Sequence, residues 1–321
     1  MRNPWFWLLV LAGLTACNAE QSTLHVFGAE ARAVRQMALL LTIGAAVIVT
    51  IMVVLYVRAV RAPEGKLSHD RGMRMVLGMG AIGPTLILTA LLIYALPAMR
   101  PRATAPGDLV VRVDGEQFWW RVAYDPAGDL SPLLSANEVR IPVGRTVVFE
   151  LTARDVIHSF WIPGLAGKMD MIPGRRNLLR IRADRPGTYG GQCAEYCGGA
   201  HALMGLVVVA HTPESFARWR AERLAPPRPA SGRGPELFLA SGCAGCHTVR
   251  GTPANGTAGP DLTHVGARRS LGAGILPNNR GTLAGWIADS QTIKPGNRMP
   301  NYKQFSPDDL NALADYMESL K

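Results

Sequence analysis

Two unbroken apolar runs dominate the first third of the chain. From Gln36 to Val57 no residue carries a formal charge, with Arg35 and Arg58 at the ends, and Met75 to Pro97 repeats the pattern between Arg74 and Arg100. Each run exceeds the roughly 20 residues a helix needs to cross a hydrocarbon layer. The pattern therefore predicts two membrane helices, over about 36–57 and 75–97, in preference to buried core helices. Gly83-Pro84 falls inside the second run and predicts a kink there.

Beyond residue 103 the pattern changes to short runs separated by Gly, Pro and Asp. Leu109–Val113, Gln117–Tyr124, Glu138–Ile141, Thr146–Leu151, Leu178–Ile181 and Leu206–Ala210 read as strands. Together they predict an antiparallel sandwich or barrel over 103–212. Pro213 to Leu224 reads as a short helix with apolar Phe216 and Trp219, and Ala225–Gly234 (APPRPASGRG) as an extended linker, so that 213–232 separates two domains. In 233–321 helical periodicity returns over Gly234–Ser241, Thr282–Ser290 and Pro307–Leu320; Ser306-Pro307-Asp308-Asp309 supplies an N-cap, a proline in the first turn and an acid at the third position.

The N-terminal 1–16 segment is different again. Met1-Arg2, an apolar run from Trp5 to Ala12 and Leu14-Thr15-Ala16-Cys17 have the layout of a secretory signal. The last four residues resemble a bacterial lipobox, which implies lipidation of Cys17; ordinary cleavage with an unmodified Cys17 is the alternative. The 17–102 segment is then a membrane hairpin.

Charge sharpens this picture. The net charge is +10, which would permit nucleic-acid binding, yet residues 1–102 hold an excess of six while 103–230 and 231–321 hold two each. Nucleic-acid binding wants its basic residues clustered on one soluble face, so no nucleic-acid partner is expected. Arg58, Arg61, Lys66, Arg71 and Arg74 outnumber Glu64 and Asp70 in the loop between the spans. The positive-inside rule places that loop in the cytoplasm and both later domains outside it, on the periplasmic side of a bacterial inner membrane crossed twice. With only 18% charged residues and no periodic Gly, collagen-like and wholly disordered classes are excluded.

Five cysteines form an odd set that no disulfide framework uses up. Cys193-Ala-Glu195-Tyr-Cys197-Gly-Gly-Ala-His201-Ala-Leu-Met204 places two thiols, an imidazole and a thioether within twelve residues, and His158 lies upstream. Soft sulfur with imidazole suits copper, and a weak thioether suits electron-transfer copper better than structural zinc. Two thiolates four apart can bridge two metals if the loop curls back, each metal then taking one histidine. A Cys193–Cys197 disulfide and a zinc site remain open on spacing alone.

Cys243-Ala-Gly-Cys246-His247 is the attachment signature of c-type haem, in which two thiols bond the vinyl groups and the imidazole binds iron. A redox dithiol or partial zinc site is the alternative. Of the methionines after His247, Met317 falls in line with Leu310, Leu313 and Leu320 on one helical face and reads as core. Met299, in the loop Pro295–Pro300, is free to turn inward as a sixth ligand; a His/Met pair suits electron transfer. His25, His69, His211 and His264 lie outside both motifs and read as surface or structural.

The stretches Asp155–Asn177 (DVIHSFWIPGLAGKMDMIPGRRN) and Gly190–Met204 (GGQCAEYCGGAHALM) resemble the binuclear copper (CuA) domain of cytochrome c oxidase subunit II, a cupredoxin-like barrel. The resemblance, with the preceding hairpin, covers about 30–212. It implies one copper on His158, Cys193, Cys197 and Met204, and a second on Cys193, Cys197, His201 and the Glu195 carbonyl. The Glu195 side chain would reach a magnesium ion at the boundary with subunit I. The family's aromatic stretch usually begins with Trp as the port for electrons from soluble cytochrome c. Here Gly115-Glu-Gln117-Phe118-Trp119-Trp120 puts Phe118 at that position, and Trp119 and Trp120 are read first as core.

Residues 233–321 resemble a class I cytochrome c, on Cys243–His247, Gly259-Pro260-Asp-Leu262, Asn278-Asn279, Trp286 and Lys294–Pro300. The resemblance implies that the Pro260 carbonyl accepts from the His247 imidazole. The whole is similar to the cytochrome-c-fused form of cytochrome c oxidase subunit II, a multidomain membrane protein with a two-helix transmembrane hairpin, an all-β cupredoxin-like barrel and an all-α cytochrome c domain. It implies a route from an external donor, a c-type cytochrome or another respiratory carrier, through the haem to CuA and on to haem a of subunit I of a proton-translocating oxidase. Oxygen reduction would belong to subunit I, with no catalytic residue in this chain. Other oxidase subunits and membrane lipid are the further partners. A CuA-bearing nitric-oxide reductase subunit and a membrane-tethered electron shuttle are the alternatives; nitrous-oxide reductase would need a His-rich second copper centre that seven scattered histidines do not supply.

Overall fold

The computed structural model describes residues 21–63, 65, 68–99, 104–125, 133–227 and 230–321. The signal segment and Cys17 lie outside the described residues. Two compact units emerge, one of residues 33–103 and one that joins the first 32 residues to 104–321.

Two long helical stretches form the smaller unit. Helix α1 runs Ala29–Arg61, and a second rod consists of α2 (His69–Leu77), a π-helical turn (Gly78–Ile82) and α3 (Gly83–Met99). Both are long and apolar enough to cross a membrane, and neither buries its apolar window within the chain. A helix that is apolar all round and uncovered by protein is suited to lipid or to neighbouring helices. Thr42, Thr50 and Thr85 each donate their hydroxyl to the carbonyl four residues back, so their polar groups are satisfied inside the span. The expected disturbance at Gly83-Pro84 takes the form of a π turn: the Gly83 N–H donates to the Gly78 carbonyl, five residues back. Widening the helix there accommodates a proline that has no N–H to give.

The larger unit begins with a strap. The Phe27 N–H donates to the Gly164 carbonyl and the Ala31 N–H to Leu165, while Phe27 accepts from the Asp184 N–H. A Cβ on Gly28 would lie 2.6 Å from the Leu165 carbonyl oxygen, so glycine permits this close approach.

Two five-stranded sheets follow. The first has the order β3 (Leu133–Ala136), β2 (Trp119–Tyr124), β1 (Leu109–Glu116), β5 (Val147–Ala153), β8 (Asn177–Ile181). The second has the order β4 (Glu138–Pro142), β10 (Gly205–His211), β9 (Gly187–Cys193), β6 (His158–Trp161), β7 (Met169–Met171). Alternation drives burial: Leu109, Val111 and Val113 of β1 point inward to meet Phe149, Leu151, Phe160 and Ile181. The expectation of an antiparallel sandwich is corrected in one respect. β1 pairs with β5 and β10 with β4 in parallel, because long connections bring these strands side by side. Strands β3, β6, β7 and β9 were not among those expected. β9 reads GTYGGQC, whose glycines weaken strand propensity. One of them is required by packing, since a Cβ on Gly191 would lie 2.7 Å from the Trp161 carbonyl oxygen.

Helix α4 (Pro213–Leu224) is capped by Thr212, which accepts from the Ser215 N–H at 3.3 Å, and its Phe216 and Trp219 close the sandwich beside Tyr124. Residues 225–227 and 230–232 carry no regular element. The last domain packs α5 (Arg233–Ala240), α6 (Arg280–Ile293) and α7 (Pro307–Ser319) around Phe238, Leu313, Tyr316, Met317 and Leu320. Besides these helices it holds a minimal hairpin, β11 (Ser270–Leu271) with β12 (Leu276–Pro277). Ser306 caps α7 by accepting from the Asp309 N–H at 3.1 Å.

Candidate metal and haem centres

Strand ends deliver the first cluster. His158 opens β6, Cys193 closes β9, and the loop 194–204 curls back into β10, closed by Cys193 N–H donating to the Met204 carbonyl at 2.9 Å. Its donor atoms converge: Cys193 Sγ lies 3.9 Å from His158 Nδ1, 3.9 Å from Cys197 Sγ and 3.2 Å from the Glu195 carbonyl oxygen. Cys197 Sγ lies 3.6 Å from His201 Nδ1 and 3.8 Å from Met204 Sδ. The two thiols are free, and His158, Cys193, Cys197 and Met204 are buried.

Small residues make room for this arrangement. A Cβ on Gly115 would sit 2.7 Å from His158 Cδ2, so only glycine leaves the imidazole its place. Gly198, at φ +127°, would drive a Cβ to within 2.9 Å of Gln117 Nε2, and that amide donates to the Cys197 carbonyl at 2.6 Å. Asp155 accepts from His158 Nε2 at 2.9 Å and from the Gln117 N–H at 2.7 Å, which turns Nδ1 toward the thiols.

Electrostatics divides the two thiols. Burial pushes Cys193 upward, but hydrogen bonds from His158 and the loop outweigh it and bring its pKa to about 7. Burial and then the neighbouring Cys193 charge push Cys197 up to about 12. Burial works against the His158 cation too, yet contacts with Cys193 and Asp155 raise its pKa. One thiolate forms readily and a second forms only against a cation, as a metal supplies. The donor set fits soft, thiolate-bridged metal, with sulfur and imidazole inside and no disulfide taking up the thiols. Glu195 is exposed, and its carboxylate accepts from the Tyr196 N–H at 3.1 Å.

The second site is a cavity of about 570 Å³ whose apolar wall includes Leu262, Leu283, Trp286 and Leu313. Cys243, Cys246, His247 and Met299 all open onto it. Cys243 and Cys246 are free thiols on one 3₁₀ turn, and the His247 N–H donates to the Cys243 carbonyl at 3.0 Å. His247 Nδ1 donates to the Pro260 carbonyl at 2.8 Å, so Nε2 is the nitrogen left for a ligand. A Cβ on Gly259 would fall 2.5 Å from His247 Cε1. Burial lowers the His247 pKa and keeps the ring neutral, as ligation requires. Met299 sits in a braced loop, its carbonyl accepting from Ser290 Oγ at 3.1 Å and Gln291 Nε2 at 2.8 Å. A flat apolar group fixed by two thiols and a neutral imidazole fits this cavity.

His158, Cys193, Cys197, His201 and Met204 thus come together at one place, and Cys243, Cys246, His247 and Met299 at another. Met317 is buried in the helical core, where its periodicity placed it, and also touches the cavity. Trp120 is fully buried and donates Nε1 to the Gly205 carbonyl at 3.1 Å; Trp119 lies beneath the Arg121 guanidinium. His211 bonds Ser215 Oγ and stacks on Trp219, while His264 bonds the Arg223 carbonyl. Asp155, Gln117 and the site glycines carry no local sign of these roles beyond one: Asp155 is an acid three residues before a candidate ligand histidine. Phe118 is 5% exposed, lines the cavity, and has its ring beside Gly198 of the thiol loop and Gly296 of the Met299 loop.

Residues 122–211 match the family described as cytochrome c oxidase subunit II, periplasmic domain, and residues 231–321 match the cytochrome c family. Cytochrome c oxidase subunit 2 of Alkalihalophilus pseudofirmus is 43% identical over 216 residues, which cover 66% of this chain and 61% of that relative. The subunit 2 of Bacillus sp. (strain PS3) is 32% identical over 250 residues, or 73% of this chain and 68% of the relative. Among solved structures, the periplasmic domain of subunit II of cytochrome oxidase of Bradyrhizobium japonicum is 31% identical, with a TM-score of 0.35, over 39% of this chain and 96% of that one.

Proposed function

The chain belongs to the cytochrome c oxidase subunit II family and carries a cytochrome c domain, and from that premise we propose that it is the electron-input subunit of a respiratory haem-copper oxidase. It receives electrons from an external donor at a c-type haem in 233–321 and delivers them through binuclear copper in 103–212 toward haem a of the catalytic subunit, where oxygen is reduced to water. His158, Cys193, Cys197 and Met204 would hold one copper; Cys193, Cys197, His201 and the Glu195 carbonyl the other. Cys243 and Cys246 would bond the haem, and His247 and Met299 would hold its iron. When bound, these groups supply one-electron chemistry without a bond being made or broken. The exposed Glu195 carboxylate is available to magnesium at the boundary with the catalytic subunit.

The protein's own contribution is positioning. Asp155 and Pro260 each occupy the far nitrogen of a ligand histidine and so fix its orientation. Buried, pre-placed donors leave little to rearrange when the charge changes. The two helices carry no formal charge inside their apolar runs and serve as the membrane anchor of the domains. Their basic connecting loop supports a cytoplasmic position, with both redox domains on the periplasmic side.

The observation that carries the reading is the burial of Phe118 between the thiol loop and the haem-type cavity. The family resemblance implies an electron port at this position, and here the chain's own cytochrome c domain lies against it, with Lys294 Nζ donating to the Phe118 carbonyl. Purification from the native membrane followed by optical spectra and oxygen uptake tests the proposal. A c-type band and copper absorption co-purifying with oxidase activity are expected; a preparation lacking both signatures overturns it.

A further inference from the structure

Lys294 has no role in either ligand set, yet it is 2% exposed. Its Nζ donates to three carbonyls, Phe118 at 2.6 Å, Leu203 at 2.8 Å and Gly272 at 2.8 Å. An ammonium has three N–H bonds, and all three are used. Two of the acceptors belong to the copper domain and the third, like Lys294 itself, to the haem domain. Burial pulls the Lys294 pKa down to about 7 against the opposing charge of Cys197, and carbonyl acceptors favour the charged form. Such a group is costly to bury, and two of the three acceptors that offset the cost come from the other domain.

Its neighbours give the contact a direction. Leu203 precedes Met204, and Phe118 lies against Gly198, so two of the three carbonyls belong to the walls of the thiol cluster. Gly272 and Lys294 line the cavity, and Lys294 begins the loop that ends at Met299. Close by, a Cβ on Gly205 would lie 2.8 Å from the Ala273 carbonyl oxygen, so the two backbones meet with only a glycine between them. Further contacts cross the same boundary: Arg121 to the Thr257 carbonyl at 2.9 Å, the Arg269 N–H to Glu138 at 2.9 Å, and Arg298 to Asp155 at 3.4 Å.

We propose that Lys294 is a positioning residue that clamps the haem domain onto the copper domain, holding the 294–299 loop against Phe118 and the thiol loop in a single docked arrangement. The one-electron step within the chain then occurs in that arrangement, one electron leaving the haem domain and one arriving in the copper domain, without the haem domain swinging on its linker. This rests on the electron-input reading above.

The test uses the purified oxidase complex with the full chain. Lys294→Met keeps the side chain's length and removes its donors. We expect both absorption signatures to persist while haem-to-copper transfer after flash reduction slows by about tenfold or more, since transfer depends on geometry. The relaxation enhancement of the oxidised copper signal by the oxidised haem should also weaken and spread. A variant with wild-type transfer rate and wild-type enhancement overturns the clamp. If the variant does not assemble, the wild type decides: a transfer rate indifferent to added glycerol supports the clamp, and one that falls in proportion to viscosity refutes it. Absence of the two signatures from the wild type would instead defeat the functional reading, so the two failures are distinguishable.

Discussion

In the copper domain the donor atoms already lie within 4 Å of a neighbour, fixed by strand ends β6, β9 and β10 and by Gly115, whereas the four candidate residues of the haem domain open onto a cavity of about 570 Å³ whose lining also includes Phe118 and Trp119 of the copper domain. The sandwich packs Phe149, Phe160, Trp120 and Tyr124 into one continuous core. The helical domain has a smaller core, and much of its apolar wall faces the cavity. One site is therefore imposed by its scaffold, while the other scaffold is completed by what it holds. Free energy from ligand binding should accordingly appear as folding in the second domain and chiefly as affinity in the first.

The largest effect that would break this contrast comes from removing the two thiols proposed to hold the haem. Changing Cys243 and Cys246 together to Ala should leave 233–321 open to protease while 103–212 stays resistant; a haem-free domain that resists digestion equally well contradicts the comparison. Next comes a matched pair of cavities. Leu313→Ala and Leu151→Ala, both in buried positions, should each cost about 2–5 kcal/mol. Chemical denaturation should show the haem domain melting separately in Leu313→Ala, with the sandwich of Leu151→Ala losing stability but remaining folded.

A smaller effect sharpens the copper side alone. Asp155→Asn removes the charge that orients His158 while keeping the shape, and should weaken copper binding about 10–100-fold with an unchanged far-ultraviolet spectrum. Competition with a copper chelator measures it; undiminished affinity would mean that strand geometry alone orients the ring. The smallest effect is in pH. Burial, and then the Arg140 charge, lower the folded pKa of His211, and burial, then Arg223, lower that of His264. The unfolded chain, with its histidines near 6.5, takes up protons first as the solution is acidified. Stability is thus full above about pH 6.5 and is lost as the pH falls through the lower folded values. Thermal midpoints between pH 7.5 and 5.5 should decline, and His211→Gln should flatten that decline.

What the sequence makes legible is whatever covalent spacing determines. The Cys193–Met204 and Cys243–His247 motifs state their chemistry within a dozen residues, and uncharged runs of membrane length need no partner to be recognised. Parallel pairing of β1 with β5 and of β10 with β4 is invisible locally, because it depends on which segments a long connection brings together. β9 is obscured because its glycines lower strand propensity, and Gly191 among them is required by packing against the Trp161 carbonyl. Asp155, Phe118 and Lys294 stand within recognisable motifs, yet their roles arise from partners far along the chain: Lys294 meets Phe118 across 176 positions. Phe118 gives no local sign that its carbonyl and ring meet Lys294 and Gly296 of the last domain.

The central claim, that electrons enter at the haem domain and leave through the copper domain, is tested most directly by rapid mixing of the oxidised complex with a reduced donor while both absorption bands are followed. The account predicts that the c-type band reduces first and reoxidises as the copper band bleaches, one electron for one, and that His247→Ala abolishes both phases. Copper reduction at an undiminished rate in His247→Ala, or a haem that stays reduced beside oxidised copper, would contradict it.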